Sequence, residues 1–120
     1  MQYLLMIYND ENFYKTAPKA ELERSHSAYV AYTEALKSAG VIRGGERLQP
    51  IATSSTVRVK DGKTVVLDGP YVETKEQLAG YYVIEVDNLD KAIEWAARCP
   101  AASGGTMEVR PIWANPLMNM

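Results

Sequence analysis

Two short runs limit what this chain can fold into: Tyr3-Leu4-Leu5-Met6-Ile7-Tyr8 and Tyr81-Tyr82-Val83-Ile84-Glu85-Val86. Both read as strands, and neither shows the apolar–polar alternation of a strand with one wet face. They belong side by side at the centre of a sheet, with both faces covered. Successive strand residues point to opposite faces, so Tyr81 and Tyr82 cannot share one. Helices must supply the cover, and the remaining pattern offers two.

The first helix is expected from Pro18 to Ala39. Proline suits a first helical turn, where its missing N–H is not needed, and Gly40 is a fitting C-terminal cap. Leu22, His26, Tyr29, Thr33 and Leu36 recur at three- and four-residue spacing and form its apolar face. The segment before it, residues 9–17, reads as a loop. The second helix is expected over Leu89–Arg98, capped by Asp87 or Asn88, with Ala92, Ile93, Ala96 and Ala97 turned inward. Between the helices lie an irregular strand bent at Gly44-Gly45 and a hairpin, Thr56–Val59 against Thr64–Leu67, closed by Asp61-Gly62. Thr74 to Ala79 reads as a short helical turn, and Thr106 to Trp113 as the last strand.

This order predicts a single α+β domain over residues 1–120: a ferredoxin-like split βαβ with an inserted hairpin. Its sheet is antiparallel with the helices on one face. Two helices cover only one face, so the second is expected to stack on another copy of the chain, a homodimer or a larger self-assembly. The tail, residues 115–120, is expected to be loosely ordered or docked on a neighbour.

Charge excludes some functions. Thirteen basic against fifteen acidic residues give a net charge of −2 and no basic run, which argues against nucleic acid, whose binders need a basic footprint. No apolar run approaches the roughly 18 residues that span a membrane, and the N-terminus lacks the pattern of a secretion signal. The single cysteine, Cys99, forms no internal disulfide and reads as a small buried hydrophobe. A cytoplasmic protein is the expectation. One His and one Cys fit no metal-ligand spacing, and no glycine-rich phosphate loop is present, so neither metal nor cofactor is expected.

The chemistry-bearing candidates are few. His26 is the sole histidine, and an imidazole trades protons near neutrality. It is read either as a core-lining residue or as a general acid–base at a pocket between the first helix and the sheet. Asp68 opens the Asp68-Gly69-Pro70 turn, which its side chain alone can explain; its other reading is as a catalytic partner. Glu73, Lys75 and Glu76 form either a solvated loop or a lid over a pocket, with Lys75 neutralising an anionic substrate. Tyr81 and Tyr82 serve the core or orient a phenolic or carbonyl ligand. Arg58 and Arg110 sit on strands, where a guanidinium needs a partner, an anion among the options.

The turn Asp68-Gly69-Pro70-Tyr71, the run Glu73-Thr74-Lys75-Glu76 and the strand Gly80-Tyr81-Tyr82 carry a resemblance. With Glu94-Trp95-Ala96-Ala97-Arg98 and Glu108-Val109-Arg110-Pro111, they make the chain similar to the YCII-related family. Within it, the DGPF-domain branch is the nearer match, with Tyr71 in place of Phe. The resemblance covers roughly Tyr3 to Trp113. It implies a dimeric α/β barrel, and in the wider family a His paired with an Asp is regarded as the catalytic dyad. His26 is the histidine available for that role, and Asp68 is the candidate aspartate by its place at a strand end. Related barrels include isomerases, monooxygenases and a dehydrochlorinase, which implies a cofactor-free acid–base enzyme acting on a small polar or aromatic substrate. Branch members are often encoded beside extracytoplasmic-function sigma factors, which implies the alternative: a non-catalytic dimer that binds a ligand or serves regulation.

Overall fold

The computed structural model describes residues 1–114. Strand β1, Gln2–Asn9, pairs antiparallel with β5, Gln77–Glu85, on one side and with β6, Thr106–Pro111, on the other. Strand β2, Ile42–Arg47, completes the sheet beyond β5, giving the order β2-β5-β1-β6. The two apolar runs therefore lie side by side at the centre, as their sequence demands. Helices α2, Lys19–Ser38, and α3, Leu89–Arg98, form the two crossovers, and both belong to the split βαβ skeleton. The α+β, ferredoxin-like expectation holds.

Register sorts the side chains. Tyr3, Leu5 and Ile7 are buried against the helices, and Ile84 lies opposite Tyr3 on the same face. Tyr32 and Leu36 from α2, with Ala92 and Ala96 from α3, complete this core. The Tyr32 hydroxyl donates to the Trp95 carbonyl at 2.7 Å, pinning α2 to α3. In α3 it is Ala92 and Ala96 that are buried; Ala97 is exposed, Ile93 is 49% exposed, and Trp95 packs on the core in its place. The indole takes the inward position because its large ring fills the gap between the helices.

Two local expectations change. Residues Asn12–Thr16 form a short helix, α1, where the sequence read as loop. The Asp10 carboxylate accepts from the Asn12 N–H at 2.9 Å and so starts the turn. Residues 74–79 do not form a helical turn. Gln77 already opens β5, and its side chain amide is spent on Thr74 O at 2.6 Å and on the Glu11 N–H at 2.8 Å. Those bonds hold the entry to β5 extended. A last short helix, α4 (Ala101–Gly104), precedes Gly105, where any Cβ would press on the Tyr8 carbonyl and Asn9 Oδ1.

The inserted hairpin consists of β3, Ser55–Lys60, and β4, Lys63–Asp68, in a separate two-stranded sheet. Asp61 and Gly62 turn it with φ of 51° and 75°, the left-handed pair that matches strand twist. A 3-10 turn, Ile51–Thr53, leads into it.

Candidate functional site

The space between α2 and the β2–β5 side of the sheet is an open cleft of about 1250 Å³. It exists because the sheet edge is stripped of bulk. Gly45 lies against Tyr81 and Tyr82, and Gly80 against Glu46 and Arg47, so closely that a Cβ on Gly80 would lie 2.7 Å from the Glu46 carbonyl. Polar side chains line the space: Asn9 from the end of β1, Tyr14 from α1, and Tyr29 and Thr33 from α2. Tyr82 enters from β5 on the helix face, opposite Leu5 in register.

Hydrogen bonds order this wall. Asn9 Nδ2 donates to the Tyr14 hydroxyl at 3.3 Å and to the Tyr29 hydroxyl at 3.4 Å. Thr33 Oγ1 donates to the Tyr29 carbonyl at 2.9 Å and meets the Tyr82 hydroxyl at 2.6 Å. Burial pushes Tyr29 up to about 12 and raises Tyr82 as well, so both phenols stay protonated at neutral pH. Cations gather at the rim. Lys37 pairs with Glu34 at 3.6 Å, and Arg43 pairs with Glu85 at 3.3 Å. Arg47 lies 5.7 Å from the centre of the Tyr14 ring, and it makes no ion pair among the described residues.

His26 lines the cleft, on the same face of α2 as Tyr29. Its side chain is exposed and makes no hydrogen bond or ion pair among the described residues. The carboxylate three positions earlier, Glu23, reaches Lys19 at 3.9 Å. The structure thus brings His26 and Tyr82 to one cleft. Tyr81 borders it along β5, but register sends its side chain to the opposite sheet face, and the other sequence candidates lie outside. Asp68 ends β4 opposite Ser55, exposed in the hairpin. Glu73 and Lys75 are exposed in the segment before β5, while Glu76 is half-buried and accepts from Thr106 Oγ1 at 2.6 Å. Arg110 stands on β6 across from Leu4, on the sheet face away from the helices. Near it the Tyr8 hydroxyl reaches Glu108 at 3.5 Å, and burial, then the Glu108 charge, raises its pKa. Arg58 pairs with no carboxylate among the described residues; its guanidinium lies 5.1 Å from the centre of the Tyr71 ring.

Sequence reasoning missed Asn9, Tyr14 and Arg47 as cleft residues, because they arrive from three separate elements. A signal for Tyr29 and Thr33 was present, since they fall three and seven positions after His26 on one helical face.

Residues 1–115 match the YCII-related domain, and the chain belongs to that family. An uncharacterised protein of Rhizobium meliloti (strain 1021), R00369, is 39% identical over 114 residues, covering 93% of this chain and 92% of the relative. Among solved structures, 5-chloro-2-hydroxyhydroquinone dehydrochlorinase (TftG) of Burkholderia phenoliruptrix AC1100, in complex with 2,5-dihydroxybenzoquinone, has the same fold. It superposes with a TM-score of 0.56 over the full length of both chains, at 15% identity.

Proposed function

We propose that this protein is a cofactor-free acid–base enzyme whose cleft between α2 and the sheet takes a small oxygenated substrate, with His26 carrying the proton. The observation that carries this reading is the sole histidine standing at a large cleft walled by phenolic hydroxyls. An imidazole there can take a proton from a carbon or oxygen of a bound ligand, while neutral tyrosines hold the ligand's oxygens. The dehydrochlorinase of like fold acts on a polyhydroxylated ring, a substrate class that suits such a wall.

The open sheet face supports the second half of the proposal, a homodimer. Leu4, Met6, Tyr81 and Val83 project away from the helices and are only half-buried in the single chain. A second copy stacked on that face would cover them. Asp68, Glu73, Lys75, Glu76 and Arg110 lie outside the chain's own cleft, so we assign them a part in the chemistry only as contributions between copies.

One observation favours the alternative, a ligand-binding module without catalysis: His26 has no carboxylate partner among the described residues to sharpen its basicity. Deuterium exchange at carbon, followed by proton NMR on hydroxylated aromatic ketones, separates the two readings. The enzyme exchanges a carbon-bound proton, and His26→Ala slows that exchange by about 10²–10⁴-fold, the usual range for a general base. Binding without exchange, unchanged in His26→Ala, establishes the binding module instead.

A further inference from the structure

The hydrogen-bond directions in the cleft are fixed by counting protons. The Asn9 amide nitrogen has two, and it gives one to each of the Tyr14 and Tyr29 hydroxyls. The amide oxygen, Oδ1, lies on the other side, against Gly105. Both phenols are therefore acceptors toward Asn9, and each keeps its own proton. Neither donates that proton to an acceptor among the described residues. Two O–H donors thus share one anchor at a cleft wall.

Tyr82 is in the opposite state. The Thr33 hydroxyl has one proton, and it goes to the Tyr29 carbonyl. The 2.6 Å contact between Thr33 and Tyr82 must then be donated by Tyr82, which leaves only lone pairs toward the cleft. The cleft has a donating end and an accepting end.

We propose that Asn9, Tyr14 and Tyr29 form an oxygen-receiving subsite that takes a carbonyl, carboxylate or enolate oxygen between two phenolic donors, while Tyr82 accepts from a hydroxyl of the same ligand. The proposal rests on the reading of the cleft as a small-molecule site and adds its ligand class, a hydroxylated carbonyl compound. The Arg47 guanidinium beside the Tyr14 ring adds positive charge at the donating end. With His26 about one helical turn before Tyr29, negative charge that develops on the bound oxygen during proton abstraction meets donors already in place.

The test is calorimetric titration of the full chain with two probes in mildly acidic buffer: 4-hydroxyacetophenone, and 4-methoxyacetophenone, which lacks the O–H. Tyr14→Phe and Tyr29→Phe each weaken both probes about tenfold, the worth of one hydrogen bond. Tyr82→Phe weakens the hydroxylated probe alone, a selectivity that a purely structural role would not produce. If Tyr29→Phe melts early, Tyr14→Phe on the short α1 carries the measurement. Wild-type affinity in both phenylalanine variants overturns the subsite and leaves the cleft reading standing. A wild-type chain that binds neither probe overturns both.

Discussion

The central strands and the hairpin start from similar sequence and meet different fates. Leu5 and Ile84, in β1 and β5, are fully buried, whereas Val57, Val59 and Val66, which share one face of the hairpin, are 58%, 71% and 57% exposed. The difference is not side-chain chemistry but what each strand is paired to. Strands β1 and β5 lie under two helices, while among the described residues β3 and β4 pair only with each other. A two-stranded ribbon is marginal by itself, and its valine face is an exposed apolar patch. The flat outline, 49 × 44 × 19 Å, and a radius of gyration of 16.5 Å follow from this. A domain of this length folded around one core has a radius of about 14 Å.

The comparison breaks most sharply in the core. Leu5→Ala should cost about 2–5 kcal/mol, because it opens a cavity beneath α2 and α3 where nothing can collapse. Urea titration followed by circular dichroism reads this as a lower midpoint with an unchanged slope. A cost under about 1 kcal/mol would mean that the β1 centre is as loosely held as the hairpin.

Tyrosines of the cleft and core give a smaller effect, visible only in alkali. The folded pKa of Tyr29 is raised to about 12, and burial raises Tyr32 further in the same direction. A raised phenol holds its proton in the folded chain after the unfolded chain has lost its own near pH 10. Stability is therefore level below about pH 10 and falls as the pH climbs from there toward 12. Tyr29→Phe should flatten that decline in melting temperature measured across the alkaline range. An equal decline in the variant would show that Tyr29 ionises as freely as a surface phenol.

How much of this was legible follows the same divide. The sheet order could be read because Tyr3–Tyr8 and Tyr81–Val86 lack alternation, and the hairpin because Asp61-Gly62 demands a left-handed turn. The inward side of α3 was misread because Ile93 outranks Trp95 as an aliphatic, whereas the space between the helices fits an indole. The cleft was half legible. His26, Tyr29 and Thr33 are related by helical spacing and Tyr82 stands out on its strand, but Asn9 and Tyr14 join them only through tertiary hydrogen bonds that leave no periodic trace. The charged run after Asp68 looked like a site because charges were concentrated there. Its carboxylates and lysine instead follow a hairpin that leads away from the cleft, and Gln77 ties the run's end to Glu11.

The smallest expected effect sharpens the comparison most, because it separates the lone chain from an assembly. In dilute protein, Val57→Thr and Val66→Thr should change unfolding free energy by under about 0.5 kcal/mol, as these side chains are already in water. The fold of β3–β4 is kept, since threonine suits a strand as well as valine. Where two copies meet through the hairpin, however, the same substitutions place hydroxyls in a buried surface without partners. The two variants should then shift the monomer–dimer balance toward monomer, as followed by sedimentation across a range of concentrations. Dimers that persist unchanged in the double variant would confine the interface to the Leu4–Met6–Val83 face. The hairpin would then be left to a partner other than a second copy, and Asp68 would have no route to the His26 cleft.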